Sequence, residues 1–357
     1  MVTRVSLTLS LLSLAVVAPA SRCTAQYSPD HPRVQQSVQQ AIRYLESSDE
    51  PASRGIEYQD GGPILVGYTV FKVTGDTDHP LVRRAIGIAE RMARNAGSSP
   101  GGESKVVYET AMAAVLLASI DAGAYRPQLE QFLQFFIDNQ KPHGGFGYLG
   151  RQTGDTSQVQ YAMLAVWTLH QVGLDVPTVM IEDTLTYLKA TMDPSGAWGY
   201  QGKLGNGRLV EQERVSVSLA TAGAGAMLIG GDILGFYGAR KLQPKQDDDV
   251  PAAFVRVDLK AEARRRRTGI TMTRDDTEGT VNAAVRYLNS NPNFSGAYWY
   301  YYWRYSQERY ESFLEILNGR QEKSPNWYNR GVEELFRLQD EDGGWGKKKT
   351  DVTPRAI

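Results

Sequence analysis

Gln140-Lys-Pro-His-Gly-Gly-Phe-Gly-Tyr148, leading through Asp155-Thr156-Ser157 into Val159-Gln-Tyr-Ala-Met-Leu-Ala-Val-Trp-Thr-Leu169, decides the fold. Gly144, Gly145 and Gly147 carry no Cβ, so the chain can reverse sharply there through positive φ. The reversal is expected to drop Phe146 and Tyr148 between neighbouring helices. Asp155, Thr156 and Ser157 offer N-cap oxygens, and the run behind them is apolar on almost every face, the pattern of a helix buried all round. Gly173 is a natural stop. Ahead of the turn, Leu129, Phe132, Leu133 and Phe136 fall at i, i+3, i+4 and i+7, which describes a helix with one buried stripe.

The same unit recurs. Gly144-Gly-Phe-Gly147, Gly196-Ala-Trp-Gly199, Gly296-Ala-Tyr-Trp299 and Gly343-Gly-Trp-Gly346 share one form, with weaker versions at Gly61-Gly-Pro63 and Gly101-Gly102. Stripe-faced helices are expected at about 33–48, 80–95, 127–139, 178–192, 280–290 and 325–340, and fuller apolar helices at 64–73, 108–122, 159–172, 215–229 and 298–317. Alternation of these two kinds predicts an all-α closed double layer of about six pairs, buried helices inside and striped ones outside. A sixth inner helix is expected to be missing or truncated, since the sequence reaches Ile357 where that helix would begin. Between Gly231 and Gly279 the pattern lapses into a charged insertion containing Asp247-Asp-Asp249 and Arg264-Arg-Arg-Arg267.

A chain of 357 residues with 41% hydrophobic content can bury a large core, and the repeats favour one domain over residues 26–357. Met1-Val-Thr-Arg4, an apolar run from Val5 to Val17 and small residues up to Ala25 read as a secretory signal peptide over 1–25, so export to a periplasmic or extracellular space is expected. No stretch suits a transmembrane span. Cys23 is the only cysteine and leaves with the leader, which removes disulfides and thiolate chemistry. Net charge is −1, or −3 once Arg4 and Arg22 are gone, which gives no general attraction to nucleic acid.

Gln339-Asp-Glu-Asp-Gly-Gly-Trp345, preceded by Arg330-Gly331 and Leu335-Phe336, resembles the glutamine-tryptophan repeat of squalene and oxidosqualene cyclases, with Gln140 to Phe146 and Ala197-Trp198 as weaker copies. Similar repeats occur in protein prenyltransferase β-subunits. The resemblance implies an α/α toroid over about residues 33–357 outside the insertion, and a structural role for the repeat's glutamine and tryptophan in tying outer helices to turns. It implies little about activity. Prenyltransferase zinc needs Asp, Cys and His, and here the cysteine is lost and His31, His79, His143 and His170 are scattered, so neither a metal nor another cofactor is expected. Class II cyclases use an Asp-x-Asp-Asp-Thr acid. Thr273-Arg-Asp-Asp-Thr277 lacks the first aspartate, and Gly154-Asp155-Thr156 keeps one acid only.

Asp155, Asp275 and Asp276 are therefore the acid candidates, with helix capping as their ordinary alternative. Tyr108, Tyr161, Trp167, Trp299 and Tyr302 are candidates to line a central cavity, since aromatic faces suit apolar chains, sugars or cations, although packing accounts for most such residues. The leading expectation is an exported binding or scaffold protein holding an apolar, polyprenyl, glycan or peptide ligand in the toroid. The alternative is a diverged class II terpene cyclase-like isomerase using an aspartic general acid. The sequence leaves oligomeric state open.

Overall fold

The computed structural model describes residues 27–47, 61–95, 105–237, 271–292, 300–319, 322 and 324–345. Within them the chain is all-helical: α1 (Pro32–Ser47), α2 (Gly61–Thr74), α3 (Pro80–Arg94), α4 (Val106–Asp121), α5 (Arg126–Asn139), α6 (Thr156–Gln171), α7 (Thr178–Ala190), α8 (Val217–Ile233), α9 (Arg274–Ser290), α10 (Tyr300–Leu317) and α11 (Asn326–Leu338). The only β contact among these residues is one isolated bridge, Asp155 to Gln201.

α5 and α6 show the two kinds of helix that the sequence predicts; α10, expected among the helices buried all round, is instead half-buried along most of its described length, with Tyr300, Trp303, Ser306, Tyr310 and Phe313 its buried residues. On α5, Leu129, Phe132, Leu133 and Phe136 are buried, and Glu130, Gln131, Gln134 and Asp138 lie outside that stripe. On α6, twelve of sixteen residues are buried. Even-numbered helices pack on one another in series, α2 on α4, α4 on α6, α6 on α8 and α8 on α10, while odd-numbered ones lie against them. The most crowded is α8. Its Ala220, Ala222, Gly223, Ala224, Gly225 and Ala226 bury nothing bulky, so α6, α7, α9 and α10 can all approach. A Cβ on Gly223 would stand 2.6 Å from the Trp198 ring, so that ring needs the glycine. Glycine in a helix costs about 1 kcal/mol relative to alanine, which the close packing must offset.

Three turns share one geometry. In each, the residue three before the glycine exchanges backbone hydrogen bonds across the turn: Lys141 N to Gly145 O at 2.9 Å, Asp193 N to Ala197 O at 2.8 Å and Asp340 N to Gly344 O at 2.8 Å. Gly144, Gly196 and Gly343 hold φ of 91°, 96° and 91°. Each sits with its Cα against the backbone of another striped helix, at Asp183 on α7, Ala283 on α9 and Gln40 on α1 respectively. The glutamine completes the joint. Gln140 Nε2 donates to Gly144 O at 2.9 Å and Met180 O at 2.8 Å, and Gln339 Nε2 donates to Gly343 O at 2.9 Å and Ser37 O at 3.0 Å. Met192 replaces the glutamine in the middle turn. The tryptophan ties the turn to the helix before it, Trp198 Nε1 to Leu188 O at 2.8 Å and Trp345 Nε1 to Leu335 O at 2.9 Å.

Because the last turn seats on α1, the two ends of the described chain meet. Tyr27 N donates to Asn329 Oδ1 at 2.7 Å, Ser324 Oγ to Tyr27 O at 2.6 Å and Ser37 Oγ to Gln339 Oε1 at 2.7 Å, and Arg33 lies 4.3 Å over the Phe336 ring.

Several sequence expectations change. Gly145 and Gly147 do not take positive φ; they are glycine because a Cβ would meet the Tyr187 ring at 2.7 Å and Thr153 O at 2.6 Å. Phe146 is fully buried as expected, yet Tyr148 stays half-buried beside Lys105 and Arg151. Gly61-Gly-Pro63 is no turn: it is the first turn of α2, where proline is tolerated because that amide has no helical partner anyway. The 231–279 insertion is narrower, since α8 runs through Gly230 and Gly231 to Ile233 and α9 starts at Arg274 behind a Thr273–Asp276 capping box. Gly101-Gly102, Gly296 to Trp299, both charge runs and the C-terminal segment from 346 lie outside the described residues, as does the expected leader.

Candidate functional site

Four tyrosines on three helices, α4, α6 and α10, converge at one place. Tyr108 opens α4, Tyr161 lies in the second turn of α6, and Tyr302 and Tyr305 stand one turn apart on α10. Tyr161 meets Tyr108 edge to face with centroids 5.1 Å apart, and stacks on Tyr305 at 5.3 Å with the planes 23° apart. Tyr302 OH donates to Gln160 Oε1 at 2.9 Å, and Ser306 Oγ donates to the same oxygen at 3.0 Å. The Arg309 guanidinium lies 5.3 Å over the Tyr305 ring. From α2, Tyr68 is near enough to raise the pKa of Tyr305 electrostatically. Burial pushes the phenols of Tyr108, Tyr302 and Tyr305 up, so all three remain neutral hydrogen-bonding groups.

Asp155 stands beside this cluster as the N-cap of α6. Its Oδ1 accepts from Ser157 N at 3.0 Å, Ser157 Oγ at 2.5 Å and Gln158 N at 3.2 Å, and Oδ2 accepts from Gln201 Nε2 at 3.0 Å. Ser157 Oγ in turn lies 2.6 Å from Tyr108 OH. The backbone closes the same knot: Asp155 N donates to Phe146 O at 2.7 Å and Thr156 N to Tyr200 O at 3.0 Å. Two turns and a helix start are thus joined at one carboxylate. Burial raises its pKa, against the opposing pull of the Ser157 and Gln158 hydrogen bonds and of Lys105. Chemically, the chain Asp155–Ser157–Tyr108 can hold and pass a proton along short hydrogen bonds.

That placement sets up a first prediction. Asp155→Ala should cost about 2 kcal/mol or more, since a cap is worth ~1 kcal/mol and the Ser157 and Gln201 donors lose their acceptor as well. Asp155→Asn should come close to wild type, because asparagine caps as well as aspartate and the Gln201 amide can turn over to match it. The sign with pH follows from the raised pKa. A folded-state pKa above the unfolded one gives a contribution present in full below the unfolded pKa and lost as pH rises through the folded pKa. Denaturant unfolding of both proteins should therefore show Asp155→Asn gaining on wild type as pH rises from acid to neutral. A constant difference would count against burial as the controlling cause.

Of the sequence candidates, the fold gathers Tyr108, Tyr161, Tyr302 and Asp155. Trp167 goes elsewhere: six residues further along α6, its Nε1 donates to Asp232 Oδ2 at 2.9 Å and its ring meets Phe313 edge-on at 5.2 Å. Asp276 sits near the surface as the capping-box acid of α9 and binds Lys189 Nζ at 2.5 Å; the Lys189 and Thr273 side chains hold it down at about 2. Asp275 is exposed in the same turn. Neither approaches the tyrosines. Trp299 lies outside the described residues.

Gln158, Gln160, Ser306 and Arg309 were not singled out from sequence. A signal existed, because Gln158 and Gln160 interrupt an otherwise apolar helix and buried amides demand partners. Both are fully buried, at 0% and 1% exposure. Gln158 finds no partner among the described residues for either amide atom, and Gln160 uses only its oxygen.

Comparison with protein-family models, with curated proteins and with solved structures finds no match to this chain.

Proposed function

We propose that this is an exported α/α-toroid binding protein whose central tyrosine cluster takes a neutral, hydroxyl-rich extended ligand of the glycan class. The toroid is supported by three observations: even-numbered helices packed in series, turns that seat on other striped helices at equivalent positions, and a last turn seated on α1. Export rests on the leader-like N-terminus.

The single observation that carries the ligand class is the make-up of the cluster. Tyr161, Tyr302 and Tyr305 are half-buried, with phenols, amides and a guanidinium around them. A polyprenyl chain offers nothing to those hydrogen-bonding groups, so burying them against it would be costly. A sugar matches both parts: its C–H faces lie on aromatic rings and its hydroxyls pair with amide and phenol. Thermal unfolding should be followed with neutral linear oligosaccharides, polyprenyl phosphates and short peptides. Stabilisation is expected from an oligosaccharide, by about 2.7 kcal/mol at a hundredfold excess over Kd, and is expected to vanish in Tyr161→Ala. No shift with any oligosaccharide, or a shift untouched by Tyr161→Ala, would remove the reading.

A second reading, a diverged terpene cyclase-like isomerase, draws support from the raised pKa of Asp155 and the hydrogen-bonded chain through Ser157 to Tyr108. Incubation with squalene and product analysis tests it. Product formed by wild type and lost in Asp155→Asn would favour chemistry over binding; no product from wild type would end it.

A further inference from the structure

We propose that the outward face of α3 is a docking surface for an acidic polysaccharide, a linear chain of carboxylate-bearing sugars. α3 gives no residue to the tyrosine cluster, so this surface stands or falls apart from what the cluster binds.

The helix divides its residues sharply. Val82, Ala85, Ile88, Ala89 and Ala93 are buried, and the helix packs on α2, α4 and α5. Arg83, Arg84, Arg91 and Arg94 are all exposed. At 3.6 residues per turn those four fall within a sector of about 100° and span about 16 Å of the helix axis. Gly87 stands in the middle of that sector, where a Cβ would meet nothing nearer than Arg91 Nη1 at 4.0 Å. The arginines thus rim a strip whose centre is bare backbone. Arg91 Nη1 donates to Gly87 O at 3.1 Å, and none of the four makes an ion pair with a described residue. Glu90 is the only acid on the helix and lies at the edge of the strip, near Tyr125, whose phenol is pushed up by burial first and by Glu90 next.

An arginine fork takes a carboxylate through two parallel hydrogen bonds, so a row of arginines without acid partners is a row of open carboxylate seats. The width of the row selects the occupant. Neighbouring exposed positions carry acids: Glu130 and Asp138 on α5, Asp76 and Asp78 ahead of α3, and Glu46 beside His79. A bilayer surface would meet those acids together with the arginines, and the exposed large apolar side chains, Val73, Val179, Leu204 and Leu209, all lie off α3, which leaves it no anchor in lipid. A single chain lying along the axis meets the arginines alone. Nucleic acid would bring bases, and α3 has no aromatic ring on which they could stack. The overall charge of −1 conceals this face, because attraction at contact follows the local field and not the sum over the chain.

Calorimetric titration of the full chain at low salt tests the assignment with four probes: polygalacturonate, neutral dextran, vesicles of phosphatidylcholine with phosphatidylglycerol, and single-stranded DNA. Polygalacturonate is expected to bind, dextran is not, and added salt should weaken the binding. The double variant Arg84→Glu/Arg91→Glu should lose about tenfold or more in affinity for polygalacturonate while keeping the wild-type melting midpoint, since both positions are exposed. Arg208→Glu/Arg286→Glu changes the net charge equally at exposed positions off α3 and should leave that affinity within about twofold. Absence of polygalacturonate binding, an equal loss in the two double variants, or tighter binding of vesicles or DNA than of polygalacturonate would each overturn the assignment.

Discussion

Replacing Trp198 by alanine is expected to cost about 3–5 kcal/mol of stability, the range for deleting a fully buried aromatic from a close-packed core. The indole is 0% exposed, its ring lies on Gly223 of α8, and its N–H satisfies Leu188 O in the last turn of α7. Alanine would leave a cavity against α8 and take from Leu188 O its short donor, leaving it the long 3.5 Å bond from Thr191 Oγ1. Trp198→Phe separates the two losses, since phenylalanine restores much of the packing and none of the hydrogen bond. It should recover more than half of the damage, because Phe146 fills the equivalent place in the turn after α5, packed on Phe136 without a donor. The denaturant midpoints of the three proteins provide the measurement. A Trp198→Ala loss under ~1 kcal/mol would mean that the turn does not seat α7 on α8.

Gly343→Ala should be nearly as damaging, about 3 kcal/mol. At φ of 91° an alanine is strained by ~1–2 kcal/mol before any contact is considered. Its Cβ would stand 2.7 Å from the Gln40 carbonyl carbon and closer still to the oxygen, and backbone on both sides leaves no flexible side chain to move away. Relief requires lifting the turn from α1, which also pulls Gln339 from Ser37. Gly331→Ala is the contrasting case. Gly331 lies within α11 with open space where a Cβ would go, so alanine there should be neutral or stabilising by up to about 1 kcal/mol. If Gly343→Ala and Gly331→Ala unfold at the same midpoint as wild type, α1 does not bear on the last turn. Part of the Gly343→Ala effect should appear as faster hydrogen exchange in α1 before global unfolding.

Particular residues show why some of this was readable in advance. The stripe Leu129, Phe132, Leu133 and Phe136 names its own buried face, because helical periodicity converts spacing directly into direction. Asp155 before an apolar run marks a helix start for the same local reason, since the groups it caps lie two and three residues away. The boundaries of the striped helices came within a few residues, apart from α9, where the capping box at Thr273 begins the helix six residues before the apolar pattern does. The three glycines of the 144–147 turn were seen as one kind and are two. Gly144 serves a backbone angle, and Gly145 and Gly147 serve contacts with Tyr187 and Thr153 that no local reading contains.

The site was less legible. Tyr108, Tyr161 and Tyr302 were among the aromatic candidates, but nothing in the chain separated them from Trp167, which the fold assigns to Asp232 and Phe313. Rotation of a helix buried all round leaves no stripe to fix which residues face the centre. The polar exceptions, Gln158 and Gln160, would have given that direction on α6, because a buried amide points to where its partner must stand.

Sequence by itself determined the all-helical class, the places of most helices, and the repeated glycine-aromatic turn, since each depends on residues within a few positions of one another. Only the tertiary structure decided which helix each turn rests on, that the last one returns to α1, and that tyrosines from α4, α6 and α10 share one place. Those are meetings of groups up to about 300 residues apart, whose partners are selected by the packing of whole helices and not by any pattern along the chain.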